Sequence, residues 1–464
     1  MTLARAGLRE IYVREERRFV DAHPASRALA ERAAHSLLQG VPMNWMVKWA
    51  GPFPVFVESA EGAHFTCVDG HEYVDFCMGD TGAMSGHSPR ATVDAVVAQM
   101  QRGITSMLPS EDAVWLGEEL QRRFGLQYWQ FALTATDANR FSIRIAREIT
   151  GRPKILVFNY CYHGSVDETF ATLRDGEVVA REGNIGPPVD PSVTTRVVEF
   201  NDAAALEAAL AHRDVACVLA EPAMTNVGIV HPDADFHAAM RELTRRYGTL
   251  LILDETHTIC TGPGGYTRAH GLEPDFFTLG KPIGGGIPAA VYGFTESVGR
   301  QIVAHTQLSH CDTGGIGGTL AGNALSLAAM RATLDRVLTV QAYERMIPLA
   351  TRFTDGARDA IEATGIGWSI AQLGCRAEYL FAPPPRNGAQ AAAAADFELD
   401  RLMHLYALNR GILMTPFHNM ALMCPQTSED DVDRHTEAFK EALGELVSGW
   451  AGPPCNQLGG PAVL

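Results

Sequence analysis

The chain has 464 residues, more than a single ordinary domain needs, so two packed domains are expected. Hydrophobic residues make up 46% of the chain and charged residues 20%, a balance typical of globular rather than disordered proteins. The formal net charge of −16 argues against a nucleic-acid-binding protein, because phosphate binding needs a basic surface.

The N-terminus has no apolar segment resembling a signal peptide, and apolar runs elsewhere are too short to cross a membrane. The nine cysteines are scattered and form no CxxC pair, so they indicate neither a disulfide framework nor a zinc site. His257 and Cys260 could form half of a metal site, but no second pair accompanies them. These features predict a cytoplasmic protein with reduced thiols and no metal.

The first elements along the chain are helical. Residues 1–39 place apolar side chains at helical spacing. Residues 54–76 then change to short alternating segments, separated by the Glu61-Gly62 and Asp69-Gly70 turns. Alternation with such turns predicts a small antiparallel sheet.

From about residue 90 to 300, helical segments alternate with apolar runs of strand length. This alternation predicts an α/β fold with a mostly parallel sheet, whose ligands bind at the carboxyl ends of the strands. The predicted strands are Ile155–Phe158, Val215–Ala220, Leu250–Leu253, Phe276–Leu279 and Ala289–Phe294.

After about residue 330 the pattern becomes a long helix followed by a mixed α+β region. The predicted organisation is therefore an N-terminal segment (1–80), a large domain (81–330) and a C-terminal small domain (331–464), with the first and last contributing to one small domain.

Two chemically active side chains follow predicted strands. Asp254 ends the apolar run LLILD, and Lys281 lies 27 positions later, directly after FFTLG. Asp254 could simply cap a helix, but a lysine among glycines and apolar residues is rarely placed there for solubility alone.

Lys281 does not fit the common phosphate-binding motifs. Walker spacing would require glycine at Asp275 and serine or threonine at Pro282, and no GxGxxG follows the first strand. The remaining use is a Schiff-base amine. Pyridoxal phosphate (PLP) chemistry needs such a lysine together with an acid against the pyridine nitrogen, and Asp254 supplies the acid.

A phosphate site is also predicted. FALTATDANRFSIRIAREIT reads as a short strand, a turn of small residues and a helix, so Thr134, Ala135 and Thr136 would present N–H groups to a phosphate. The alternative is an ordinary helix capped by Asp137. Tyr162 offers an aromatic face to a planar cofactor, or is a buried core residue.

With these residues assembled, the chain resembles the class III aminotransferases of PLP fold type I, in particular the glutamate-1-semialdehyde aminomutase-like members. The resemblance covers nearly the whole length, and the stretches that carry it are CYHG (161–164), EPAMTNVG (221–228), LILDE (251–255), LGKPIGGGIPAAVYG (279–293) and GGTLAGNALS (317–326).

The resemblance implies a role for each matching position. Lys281 is expected to bond the cofactor and move the substrate proton, while Asp254 holds the pyridine nitrogen. Thr319 matches a threonine that reaches the phosphate of the neighbouring subunit, which implies a homodimer with shared active sites. The remaining implied cofactor contacts are Thr134, Ala135, Thr136, Tyr162, His163, Glu221, Asn226 and Thr256.

The chain departs from this pattern at the substrate side. The aminomutases carry SPVR after a Gly-Val pair, whereas here PMNWM follows Val41, so Met46 falls where arginine binds the substrate carboxylate. Trp45 and Met46 suggest a substrate with an apolar or aromatic part, or are core residues. Arg376 is either the carboxylate contact or part of a structural salt bridge.

These features together predict an aminotransferase that moves an amino group from an amine or amino acid to a keto acid such as pyruvate, with the aminated cofactor as carrier. The alternative enzyme is a PLP-dependent aminomutase of the glutamate-1-semialdehyde type. A catalytically silent binding protein and an NAD-dependent enzyme are the other classes considered, and the Asp254–Lys281 pair and the missing glycine motif argue against them.

Overall fold

The computed structural model describes residues 5–306 and 314–448. Within these ranges the strands are β1 (Val57–Glu61), β2 (His64–Cys67), β3 (Glu72–Asp75), β4 (Tyr128–Ala132), β5 (Lys154–Phe158), β6 (Ala171–Arg174), β7 (Glu177–Ala180), β8 (Thr195–Val198), β9 (Val215–Ala220), β10 (Leu250–Asp254), β11 (Phe276–Leu279), β12 (Ala290–Phe294), β13 (Ser369–Leu373), β14 (Arg376–Leu380), β15 (Ile412–Leu413) and β16 (Met420–Leu422).

The helices are α1 (Arg5–Ala22), α2 (Pro24–Ala33), α3 (Arg90–Met100), α4 (Glu111–Phe124), α5 (Ala135–Thr150), α6 (Pro191–Thr194), α7 (Ala203–Leu210), α8 (Phe236–Tyr247), α9 (Gly265–Ala269), α10 (Glu296–His305), α11 (Ala324–Arg336), α12 (Val340–Thr364), α13 (Gly388–Ala393), α14 (Phe397–Leu408) and α15 (Glu429–Ser448). Short 3₁₀ turns include Asn44–Lys48 and Lys281–Gly284.

The large sheet has seven strands in the order β4-β12-β11-β10-β9-β5-β8. Its pairings are parallel except that β12 runs antiparallel to both β11 and β4. The predicted mostly parallel α/β sheet is therefore confirmed. All five predicted strands are present, two of them with the predicted bounds and the others within one residue.

Both faces of this sheet are covered, which explains why its strands are continuous apolar runs. In β9, Cys217 and Leu219 belong to the hydrophobic cluster that includes α5, whereas Val218 and Ala220 belong to the cluster that includes α8. Because both faces of the sheet are buried, we look for polar functional side chains at the ends of the strands.

A second, smaller sheet joins distant parts of the chain. β1, β2 and β3 pair antiparallel, which confirms the sheet predicted for residues 54–76. β15 pairs in parallel with β3, so residues 412–413 lie beside this N-terminal sheet. The division of the chain at residues 80 and 330 stays a prediction.

The N-terminal helix predicted over residues 1–39 is two helices in the described part, α1 and α2. Pro24 begins α2. Proline has no backbone N–H, and it is tolerated there because an N–H in the first helical turn has no acceptor within the helix. No helix among the described residues combines the length and apolar character required to span a bilayer.

Candidate active site

The carboxyl ends of β10 and β11 open into a cavity of about 500 Å³. Four further segments complete its wall: residues 79–83, the start of α5, residues 162–164, and residues 286–289. This edge of the sheet is where parallel α/β folds bind their ligands. The cavity contains both Asp254 and Lys281.

Asp254 is the most firmly held side chain of the cavity. Its Oδ2 accepts hydrogen bonds from Asn139 Nδ2 (2.8 Å) and His163 Nδ1 (2.9 Å), and its Oδ1 accepts from the backbone N–H of Thr256 (3.1 Å). Thr278 on β11 in turn donates to Asn139 Oδ1 at 2.7 Å. The carboxylate therefore has a fixed orientation and is buried.

This environment keeps Asp254 ionised. Burial alone would raise the pKa of Asp254, but the hydrogen bond and charge of His163 lower it to about 2. Burial would lower the pKa of His163, but Cys161 and Asp254 raise it to about 10. His163 Nε2 is buried and has no hydrogen-bond partner among the described residues.

The start of α5 forms the opposite wall. Thr134 caps this helix, its Oγ1 accepting from the N–H of Asp137 at 3.1 Å. The backbone N–H groups of Ala135 and Thr136 have no acceptor within the helix, as in any first helical turn. Together with the helix dipole they form an anion site that faces the cavity.

Tyr162 and Thr256 also line the cavity. The side chain of Tyr162 is partly exposed there, in edge contact with Phe170 at 6.3 Å between ring centroids. Thr256 Oγ1 accepts a hydrogen bond from the N–H of Gly280 (3.3 Å), which ties the end of β10 to the residue before Lys281.

Lys281 begins a 3₁₀ turn in a left-handed backbone conformation, with φ of 49°. Its Nζ donates to Asp80 Oδ2 at 2.7 Å and lies 2.8 Å from His257 Nε2. Neither neighbour was predicted. His257 was considered only as a metal ligand, and Asp80 lies on a turn with no recognisable motif.

A neighbouring cavity of about 440 Å³ shares Gly79, Tyr162, His257 and Lys281 with the first, and Asp80 lines this second cavity. Glu221 and Asn226 lie on its wall, as does Trp45. Glu221 accepts hydrogen bonds from Thr225, and burial raises its pKa. Asn226 Nδ2 donates to the carbonyl of Tyr160 at 2.9 Å.

Three predicted site residues lie elsewhere. Met46 lines a separate apolar cavity with Trp49 and Phe53 rather than either cavity at Lys281. Thr319 is exposed and lies on neither wall.

Arg376 is fully buried on β14, where its Nη2 donates to Glu378 Oε2 (2.8 Å) and to the carbonyl of Thr225 (3.0 Å). Its charge is thus already paired.

The donor set fits pyridoxal phosphate. An ionised carboxylate suits a protonated pyridine nitrogen, the N–H groups of α5 suit a dianionic phosphate, and Tyr162 supplies a flat aromatic face. The lysine amine lies at the same cavity. Among the described residues no cluster of three metal-ligating side chains occurs.

Sequence comparison matches the family described as aminotransferase class-III to residues 45–443. A relative described as glutamate-1-semialdehyde 2,1-aminomutase, from Sorangium cellulosum, is 34% identical over 91% of this chain and 97% of its own.

Solved structures give the same result. A structure described as a glutamate-1-semialdehyde aminomutase from Pseudomonas aeruginosa is 50% identical, covers 96% of this chain and all of its own, and has a TM-score of 0.94. An omega-transaminase from Sphaerobacter thermophilus is 27% identical, covers 92% of this chain and 99% of its own, and has a TM-score of 0.82.

The cofactor is consistent across these matches. A second structure of the Pseudomonas aeruginosa protein contains pyridoxamine phosphate, and another similar structure is a transaminase with PLP bound. The cofactor of this protein is therefore PLP, and eight of its eleven expected contacts, Asp254 and Lys281 among them, lie on one cavity at the sheet edge. With a fold of type I and a family match over most of its length, the chain belongs to the class III aminotransferases.

Proposed function

We propose that the protein is a PLP-dependent aminomutase of the glutamate-1-semialdehyde type, which moves an amino group between neighbouring carbons of one substrate. The similarity over nearly the whole chain to proteins of that name, at 34% and 50% identity, supports it. This reverses the order suggested by the sequence alone, where transfer to a separate keto acid was the first expectation.

The cations around the cavity carry the structural argument. Arg376 is paired with Glu378. Among the described residues, Lys48 is the only lysine or arginine besides Lys281 on the wall of the 440 Å³ cavity, where the substrate is expected to bind. Lys48 stands over the ring of Phe417 (5.5 Å), on a different element from Lys281. Glutamate-1-semialdehyde has its single carboxylate three carbons from the amino carbon, so a cation away from Lys281 suits it.

The residues divide the work of such a reaction. Bound PLP supplies an electron sink for the bonds at the amino carbon. Asp254 keeps a negative charge against the ring nitrogen, and the start of α5 binds the phosphate. Lys281 carries the proton at the reacting carbons. Tyr162 would stack on the cofactor ring. Trp45 and Phe417 contact each other on the wall of the 440 Å³ cavity and limit the space for the substrate.

The function is tested by incubating the full-length enzyme, loaded with its cofactor, with glutamate-1-semialdehyde and no keto acid. We expect 5-amino-4-oxopentanoate, in which the amino group has moved from C2 to C1. Lys48→Met should raise KM more than it lowers kcat, because the lysine binds the carboxylate and does not touch the reacting carbons. Absence of the product in the wild type would overturn the proposal.

A second candidate is transfer to a separate keto acid. It is favoured by the similarity to an omega-transaminase over 92% of the chain and by the aromatic pair of Trp45 and Phe417, whose centroids are 5.7 Å apart. Alanine formation from an aromatic amine and pyruvate, without isomerisation of the semialdehyde, would establish this activity. A cytoplasmic location stays a prediction.

A further inference from the structure

The amine of Lys281 lies against a carboxylate that the family resemblance did not assign. Asp80 Oδ2 is 2.7 Å from Nζ, and both side chains retain about a quarter of their exposure, 22% and 25%. Asp80 Oδ1 is buried without a hydrogen-bond partner among the described residues. The carboxylate thus lies on the wall of the 440 Å³ cavity, and it contacts the lysine through Oδ2 alone.

His257 completes the contact from the other side. Its Nε2 is 2.8 Å from Nζ of Lys281, and an ammonium group can only donate to it. Nδ1 of the same ring lies 3.0 Å from Thr81 Oγ1 and 3.4 Å from Arg376 Nη1. Thr81 and Arg376 therefore contact the far side of the ring, while Nε2 faces the lysine.

The backbone around Asp80 is built for this placement. Met78, Gly79, Asp80 and Thr81 all have φ between 44° and 80°, four successive residues in the left-handed region. Lys281 itself has φ of 49°. Such conformations persist where the surrounding structure imposes them, and they cluster at functional sites.

The charges around the contact favour an ionised carboxylate and a neutral imidazole. Burial would raise the pKa of Asp80, but the charge of Lys281 holds it well below the ordinary range. Burial and the charge of Lys281 hold the pKa of His257 well below its ordinary value. The other titratable or charged groups facing the pair are His418, Arg376, Asp254 and Tyr162.

We propose that Asp80 and His257 are positioning residues that form an ammonium seat for Lys281. The seat holds the lysine nitrogen in one place whenever the nitrogen is not bonded to the cofactor. A lysine side chain has high rotamer freedom, so a fixed resting point shortens its search for the cofactor and substrate carbons. The inference rests on the PLP chemistry of the proposed function and not on the identity of the substrate.

The test measures the reactivity of the Lys281 amine and compares it between variants. The full-length enzyme carrying pyridoxamine phosphate, which leaves the lysine unbonded, is labelled with acetic anhydride at a series of pH values, and acetylation of the Lys281 peptide is read by mass spectrometry. Only the unprotonated amine reacts. We expect Asp80→Asn to move the labelling midpoint down by about 1 to 2 pH units, the effect of removing an opposite charge in contact.

A second readout uses the PLP-loaded enzyme. The pH at which the absorbance of the bound cofactor changes should move less in Asp80→Asn than the labelling midpoint does, since a lysine nitrogen bonded to the cofactor has left the seat. Asp80→Glu should restore most of the labelling shift because it keeps the charge. Asp433→Asn, which breaks an exposed ion pair with Arg352 of the same 2.7 Å length, is the matched control and should change neither.

An unchanged labelling midpoint in Asp80→Asn would overturn the ammonium seat, as would an equal shift of that midpoint in Asp433→Asn. Should Asp80→Asn fail to fold by circular dichroism, His257→Leu takes its place. That variant must lower the labelling midpoint, and an unchanged midpoint would likewise refute the proposal. Neither readout involves a substrate, so the result is independent of whether the enzyme is an aminomutase or a transaminase.

Discussion

We expect Asp254 to provide the negative charge that faces the cofactor ring, and its three hydrogen bonds fix where that charge lies. Asparagine at this position keeps the size of the side chain and removes the charge. We expect Asp254→Asn to retain PLP but to lower turnover by roughly 10²- to 10³-fold, the usual loss when one electrostatic contact to a reacting centre is removed.

Steady-state rates and the absorbance of bound cofactor check this prediction. Asp275→Asn is a suitable control, because Asp275 pairs with Arg241 and lies on the wall of neither active-site cavity. Turnover near that of the wild type in Asp254→Asn would contradict the assigned role.

Site residues that directly follow a strand could be predicted from the sequence, whereas site residues elsewhere were missed. Asp254 and Lys281 follow apolar runs, so their meeting at one sheet edge follows from parallel topology. His257 lies three residues beyond Asp254 and could have been found by the same argument. Asp80 could not, because 201 residues separate it from Lys281 and only tertiary packing brings them together.

Among the elements, the start of α5 depends on a close approach by Gly164. A Cβ at Gly164 would lie 2.1 Å from Thr136 Oγ1, and the residue has φ of 81°. Alanine there must displace the first turn of α5, where the phosphate is expected to bind. We expect Gly164→Ala to weaken PLP affinity about tenfold or more, since such a clash costs on the order of 1–3 kcal/mol.

Gly176→Ala provides the matched control. Gly176 has nearly the same φ, 83°, but a Cβ there meets nothing within 4 Å. Both variants share the backbone strain, and only Gly164→Ala adds the clash. Equal PLP dissociation constants in a fluorescence titration would show that the contact with Thr136 does not matter.

Element prediction succeeded where hydrophobic runs were long. β9 and β11 are wholly buried, and their bounds followed from composition alone. β8 was missed because it is only four residues long and contains Arg196. The hairpin of β6 and β7 was also missed, although its Asp175-Gly176 turn has positive φ at both residues and is a recognised hairpin signal.

For the whole molecule, exposed apolar side chains support the homodimer that the resemblance implies. Met107 and Leu108 are 75% and 74% exposed, and Leu320 beside Thr319 is also exposed. The N–H of Ala324 donates to the carbonyl of Ile104, which brings these two segments together. Exposed apolar patches of this kind are typical of subunit interfaces.

We therefore expect the double variant Met107→Glu and Leu108→Glu to be a monomer with weakened PLP binding, because Thr319 would no longer reach a neighbouring phosphate. Light scattering after size-exclusion chromatography measures the mass. Val340→Glu, at an exposed apolar residue that begins α12, should leave the mass unchanged. A double variant that stays dimeric would place the interface elsewhere.

Stability should also depend on Asp400 in α14. Burial raises the pKa of this carboxyl to about 6, although Asn419 donates to it at 3.2 Å. Because the pKa is raised in the folded state, the contribution of Asp400 to stability is most favourable below about pH 4 and is lost as the pH rises towards and past 6. Asp400→Asn should raise the free energy of unfolding at pH 7.5 by about 2 kcal/mol.

Denaturant titrations at two pH values check the sign. The gain from Asp400→Asn should be lost by about pH 3, where the wild-type carboxyl is mostly protonated in both states. An equal gain at both pH values would mean that the asparagine acts through packing and not through charge.

The ammonium seat also constrains when during synthesis the enzyme can become active. Lys281 lies between two neighbouring antiparallel strands, β11 and β12, whose pairing is local and can form quickly. Asp80, by contrast, leaves the ribosome 201 residues before Lys281 and must wait for it. Cofactor capture is therefore a late event of biogenesis, and PLP cannot guide the folding of the first half of the nascent chain. Retained cofactor instead reports that the segment carrying Lys281 has been made and has joined the sheet.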